Sequence, residues 1–125
     1  MPVMPSPDAP THALGATAFT SLATPSRGGA RDTCVWKVTI APGTPATPHR
    51  LTREEVFVVL AGRAAVRIGD DRSAAAAGDA IVVPPDTDFE LAPAGDEPLS
   101  ALCCLPVGGQ AYLAGGQPFT PPWAL

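Results

Sequence analysis

The sequence predicts an all-β domain, and three observations carry that reading. Sixteen prolines and twelve glycines interrupt the 125 residues every few positions and leave no unbroken helical period. The runs between the breaks are short and rich in β-branched and aromatic residues. Hydrophobic residues form 46% of the chain and charged residues 16%, which is enough to fill one core and too apolar for disorder. Short strands at this spacing, parted by turn residues, make a sandwich or a barrel.

The N-terminal arm, residues 1–14, opens "MPVMPSPDAP" and reads as irregular. Strands are expected at 17–22, 33–40, 55–60, 64–68, 80–83, 87–91 and 99–105, where apolar runs lie between turn signals. "SRGGARD" (26–32) is a flexible hairpin loop, because its two glycines lack the strand–loop–helix setting of a phosphate cradle. Glu55–Ile68 reads as a hairpin turned at "AGR" around Gly62, and "GDDR" (69–72) as a second turn. "AAAAG" (74–78) is the only good helix-forming run, too short for a stable helix and leading into a Gly-Asp turn. A barrel over 15–107 is followed by an irregular tail, 108–125. Its Phe119 and Trp123 are expected to dock on the barrel wall or on a second subunit.

The net charge of −4, with Lys and Arg scattered, gives no electrostatic basis for binding nucleic acid or an anionic membrane. The N-terminus has no basic region followed by a long apolar run, and no stretch reaches the length of a membrane span, so a cytoplasmic protein is expected. Three cysteines make no disulfide framework. Cys103 and Cys104 are adjacent and must face opposite sides of a strand, which reads as packing; the sequence leaves open which of them faces inward.

The stretch "PGTPATPHRLTREEVFVVLAG" (42–62) places His49, Leu51 and Glu55 at even spacings, on one side of an extended chain. Parity puts Phe57 and Val59 with Glu55, Trp36 and Val38 together on the strand before, and Leu91 with Phe89. If the faces that carry Glu55 and Phe89 are the inner ones, the interior is a mainly apolar pocket of Trp36, Val38, Leu51, Phe57, Val59, Phe89 and Leu91, with His49 and Glu55 as its few polar groups. Such a lining suits an uncharged or aromatic small molecule better than a phosphate or a sugar diphosphate. The run 55–60 is apolar on both faces, so its outer face is expected to be covered.

Residues 43–93 resemble the two motifs of the cupins, which implies a double-stranded β-helix, or jelly-roll, barrel. In the first motif Gly43, His49, Glu55 and Gly62 match, while Leu51 stands where a second His belongs. In the second, Gly78 and Pro84 match, while Asp86, Phe89 and Pro93 replace a Gly, a His and an Asn. The resemblance implies a metal held by three His and one carboxylate, all pointing into the barrel, which makes the faces of Glu55 and Phe89 the inner ones. Only His49 and Glu55 remain as candidate ligands, and Leu51 and Phe89 have no lone pair to offer. No cofactor is therefore expected, unless Cys103, Cys104 or His12 arrives from another strand to complete a divalent-metal site.

Without metal, His49 and Glu55 make a candidate hydrogen-bonded dyad for acid–base isomerisation, cyclisation or elimination on a small apolar carbonyl compound, with His49 as proton carrier and Glu55 as its orienter. Metal-free cupins such as deoxysugar epimerases resemble this arrangement. The alternatives are a ligand-binding or accessory protein without turnover, and a dioxygenase-type metal enzyme with other ligands. Small cupins commonly pair as homodimers, and the resemblance implies a homodimer here.

Overall fold

The computed structural model describes residues 3–125; Met1 and Pro2, the start of the expected arm, lie outside them. The strands are β1 (Thr11–Leu14), β2 (Thr17–Ala23), β3 (Thr33–Ile40), β4 (Arg50–Leu51), β5 (Glu55–Ala61), β6 (Arg63–Ile68), β7 (Asp71–Ala76), β8 (Ala80–Val83), β9 (Phe89–Pro93), β10 (Leu99–Pro106) and β11 (Ala111–Tyr112). Helical structure among the described residues is confined to 3-10 turns at Ser6–Asp8 and Pro122–Ala124. None of it is long and apolar enough to cross a membrane.

The first layer is a six-stranded sheet in the order β1-β2-β3-β10-β5-β8. The second is built on β7-β6-β9. His49 and Phe89 exchange two backbone hydrogen bonds, N–H to O at 3.1 and 2.9 Å, which sets β4 beside β9. The β4–β11 pair and a bridge from Ala111 to Phe119 extend this layer further. All strand pairs are antiparallel. Two facing antiparallel layers with crossovers between them form a jelly roll, as expected.

Alternation along the strands determines what lies between the layers. Cys34, Trp36, Val38 and Ile40 of β3 are buried, while Lys37 and Thr39 are only half-covered. On β10 the buried set is Leu99, Ala101, Cys103 and Leu105, which places Cys103 inside and Cys104 on the outer face. On β5 it is Glu55, Phe57 and Val59.

Three local expectations change, and β7 appears where no strand was expected. Glu55–Ile68 is not a hairpin: β5 pairs with β10 and β8, and β6 pairs with β7 and β9. Gly62 (φ 78°) is the point where the chain leaves one layer for the other, and a Cβ there would lie 2.3 Å from the Pro98 carbonyl oxygen. Residues 11–14 of the expected arm form β1, because pairing with β2 satisfies their backbone. The alanines at 74–76 complete β7, since three residues of helix propensity are outweighed by the ladder to β6. The strand expected at 87–91 starts at Phe89, after a turn in which Asp86 takes a positive φ of 55°.

The tail docks on its own barrel. Ala111 and Phe119 exchange backbone bonds at 2.9 Å, the Ser21 hydroxyl donates to the Trp123 carbonyl at 2.7 Å, and the Trp123 ring stacks on Phe19 with centroids 3.6 Å apart.

Candidate functional site

A cavity of about 550 Å3 lies between the layers. Its wall takes Trp36, Val38 and Ile40 from β3, Leu51 from β4, Glu55 and Phe57 from β5, Phe89 and Leu91 from β9, and Cys103 and Leu105 from β10. Every residue expected at the pocket is on this wall except Val59. Val59 is buried in the core but outside the cavity lining. Parity selects the face of a strand; it does not say how far along that face the open space runs. A second, more open hollow of about 360 Å3 lies beside β7 and β8, and among the described residues Asp79 is the titratable one in its lining.

Glu55 is 2% exposed. Burial alone pushes its carboxyl up to about 8, with no cation or hydrogen bond opposing the shift. A carboxyl in this state is a hydrogen-bond donor at neutral pH. The Cys103 thiol is pushed well above its ordinary value, first by burial and then by the Glu55 charge, and is an inert thiol there.

His49 is positioned from the other layer. Its backbone is paired with Phe89, its ring meets the Phe89 ring edge-on at 5.4 Å, and its Nδ1 lies 2.9 Å from the Thr47 carbonyl oxygen. A carbonyl oxygen only accepts, so in this bond Nδ1 carries the hydrogen, and the neutral ring keeps its lone pair at Nε2. No hydrogen bond joins the His49 ring to Glu55, so the expected dyad is not formed. The two groups line one cavity but belong to opposite layers, and the imidazole is oriented by Thr47 instead of the carboxylate.

The donor set does not fit the metal that the motif implies. Leu51 and Phe89 occupy their expected places on the wall and supply no donor atom. Among the described residues, no three His, Cys, Asp or Glu side chains converge to hold an ion. Cys103 does reach the cavity, but as a buried thiol with a raised pKa. Cys104 faces outward, and His12 lies on β1, opposite Phe19.

The sequence reading missed the outer part of the cavity. Leu14–Thr17 at the β1–β2 turn, Thr44–Thr47 before β4, and Leu113, Phe119, Pro121 and Trp123 of the tail all line it. The two tail aromatics were the available signal, but nothing in the linear pattern says which end of the barrel they reach.

Residues 36–105 match the family model described as a Cupin domain. A 53-residue stretch is 34% identical to the uncharacterized protein MJ1618 of Methanocaldococcus jannaschii, covering 42% of each chain, so the match spans less than half of that relative. Among solved structures, oxalate decarboxylase of Bacillus subtilis, an enzyme with Mn(II) centres, is similar at a TM-score of 0.71 and 19% identity, over 80% of this chain and 28% of that one. The polyketide cyclase RemF of Streptomyces resistomycificus is similar at 0.69 and 19% identity, over 82% and 76%. At these identities the structural likeness shows the fold alone. The family match covers more than half of the chain and runs through the strands that carry Trp36, Glu55, Phe89 and Cys103: the protein belongs to the cupin domain family.

Proposed function

We propose that this cupin binds a small apolar or aromatic carbonyl compound in its barrel cavity and moves a proton on it without a metal, as an isomerase, cyclase or lyase does. The observation that carries the reading is Glu55, a buried carboxyl without a charge partner in an otherwise apolar cavity. In its protonated form it donates a hydrogen bond to the carbonyl oxygen of the ligand. His49, with its lone pair at Nε2, accepts a proton from the carbon beside that carbonyl, and the electron pair moves onto the oxygen held by Glu55. Return of the proton at another carbon completes an isomerisation; attack of the enol carbon on a second carbonyl breaks that C=O π bond, and the proton held by His49 passes to the resulting alkoxide to complete a cyclisation. This division between acid and base replaces the dyad.

Two measurements test the reading. Thermal-shift screening is expected to find stabilisation by neutral aromatic ketones and none by charged sugars; the reverse pattern overturns the pocket assignment. In D2O, a bound ketone is expected to exchange its α-hydrogens, followed by NMR, with loss of at least tenfold in rate in His49→Ala and in Glu55→Gln. Ligand binding with no exchange above the buffer rate leaves the second reading, a binding protein without turnover. That reading is favoured by the absence of a hydrogen bond orienting Glu55.

We also propose a homodimer formed through the outer face of the six-stranded sheet. Val56 and Val58 are half-buried there, Cys104 stands opposite Val56 and Leu102 opposite Val58, while Leu60 and Val82 are exposed. A contiguous apolar strip of this kind is suited to a second copy of the same strip.

A further inference from the structure

Burial orders the cavity from floor to mouth. Phe89 and Cys103 are 0% and 1% exposed and Glu55 2%, whereas three other lining residues are open to solvent: Leu14 at 65%, Leu113 at 49% and Phe119 at 46%. These three are among the most exposed large apolar side chains described, and all three line this cavity. Their positions are held by the backbone. Leu14 pairs with Thr17 across the β1–β2 turn, the Gly116 N–H closes a turn onto the Leu113 carbonyl at 2.9 Å, and Phe119 is doubly bonded to Ala111.

Trp123 and Phe19 also line the cavity, stacked with only 4° between their planes. Among the described residues, the charged or titratable ones in the lining are His49, Glu55 and Cys103. The rest of the lining, from the buried floor to these exposed residues, is uncharged and mainly apolar, with the hydroxyls of Thr17, Thr44 and Thr47 among it.

We propose that Leu14, Leu113 and Phe119 form an outer subsite for the far end of an elongated planar ligand. This deepens the proposed function and rests on it: the polar group of the ligand lies at Glu55 and His49, and its uncharged rings extend to the mouth. The ligand class is then a carbonyl compound of about three fused or linked rings, which a drug-sized cavity accommodates. A single-ring compound fills the floor and leaves the apolar mouth in water.

The test is a ladder of acetophenone, 2-acetylnaphthalene and 2-acetylanthracene, with dissociation constants read from quenching of Trp36 and Trp123. Both tryptophans of the chain line the cavity. Each added ring is expected to tighten binding roughly fivefold or more through apolar area removed from water. Phe119→Ser combined with Leu113→Ser is expected to weaken the three-ring compound at least fivefold more than the one-ring compound. Both sites are exposed, so the variant's melting temperature checks that it remains folded. Equal affinity across the ladder, or equal weakening of all three compounds by the variant, overturns the outer subsite while leaving the pocket intact. Binding by none of the three overturns the pocket reading and the subsite together.

Discussion

At Glu55 a carboxyl is carried into the interior by the same alternation that buries Phe57, and with no cation beside it burial raises its pKa from 4.5 to about 8. The sign of the linkage follows. Between these values the folded chain holds a proton that the unfolded chain has released, so stability is greatest below about 4.5 and falls as pH rises to about 8. The slope reaches about 1.4 kcal/mol per pH unit within that window and vanishes above it. Glu55→Gln is expected to remove this component. Urea midpoints at pH 5.5, 7 and 8.5 should decline more steeply for the wild type than for the variant, and parallel declines would contradict a buried neutral acid.

The other decisive residues are Leu51 and Phe89, which stand on the cavity wall where the cupin motif has histidines. Leu51→His with Phe89→His restores a four-donor set with His49 and Glu55. It is expected to bind Zn2+ at least a hundredfold more tightly than the wild type in calorimetric titration. Equal affinity in the two proteins would show that the wall geometry, and not the lost donors, excludes the metal.

At the scale of elements, the junctions between the layers are the sensitive points. Gly62 combines a positive φ with backbone contact: a Cβ would meet the Pro98 carbonyl oxygen at 2.3 Å. Gly62→Ala is therefore expected to cost about 3 kcal/mol. At Gly78 (φ 94°) a Cβ has no neighbour within 4 Å, so Gly78→Ala costs about 1 kcal/mol from backbone strain alone. Chemical denaturation of the two variants side by side measures the difference. The tail has a similar structural weight. Trp123→Ala loses the stack on Phe19 and opens the cavity wall, at an expected cost of about 2 kcal/mol in the same assay.

At the scale of the whole molecule, the proposed dimer contact lies on the outer face of β10 and β5. Val58 is central in that strip, opposite Leu102 on one side and Ala80 on the other. Val58→Asp is expected to shift a dimeric wild type to monomer in size exclusion with light scattering, because it leaves a charge in the apolar contact. A wild type that is monomeric at tens of micromolar would remove the dimer proposal.

What the sequence determined by itself is local and periodic. Once likeness to the cupin motifs at Gly43, His49, Glu55, Gly62, Gly78 and Pro84 had implied the jelly roll and the inner faces of Glu55 and Phe89, period-two alternation was enough to place Phe57 beside Glu55 and Trp36 with Val38 indoors. The tertiary structure decided the relations between segments. Only the pairing of His49 with Phe89 puts the imidazole on the layer opposite Glu55, and only the crossing at Gly62 parts β5 from β6. Only the docked tail brings Phe119 and Trp123 to the cavity. Side-chain direction within a strand is set by bonds between neighbouring residues, and so it is written in the chain. The layer a strand joins is set by long-range hydrogen bonding and burial, which no short stretch of sequence contains.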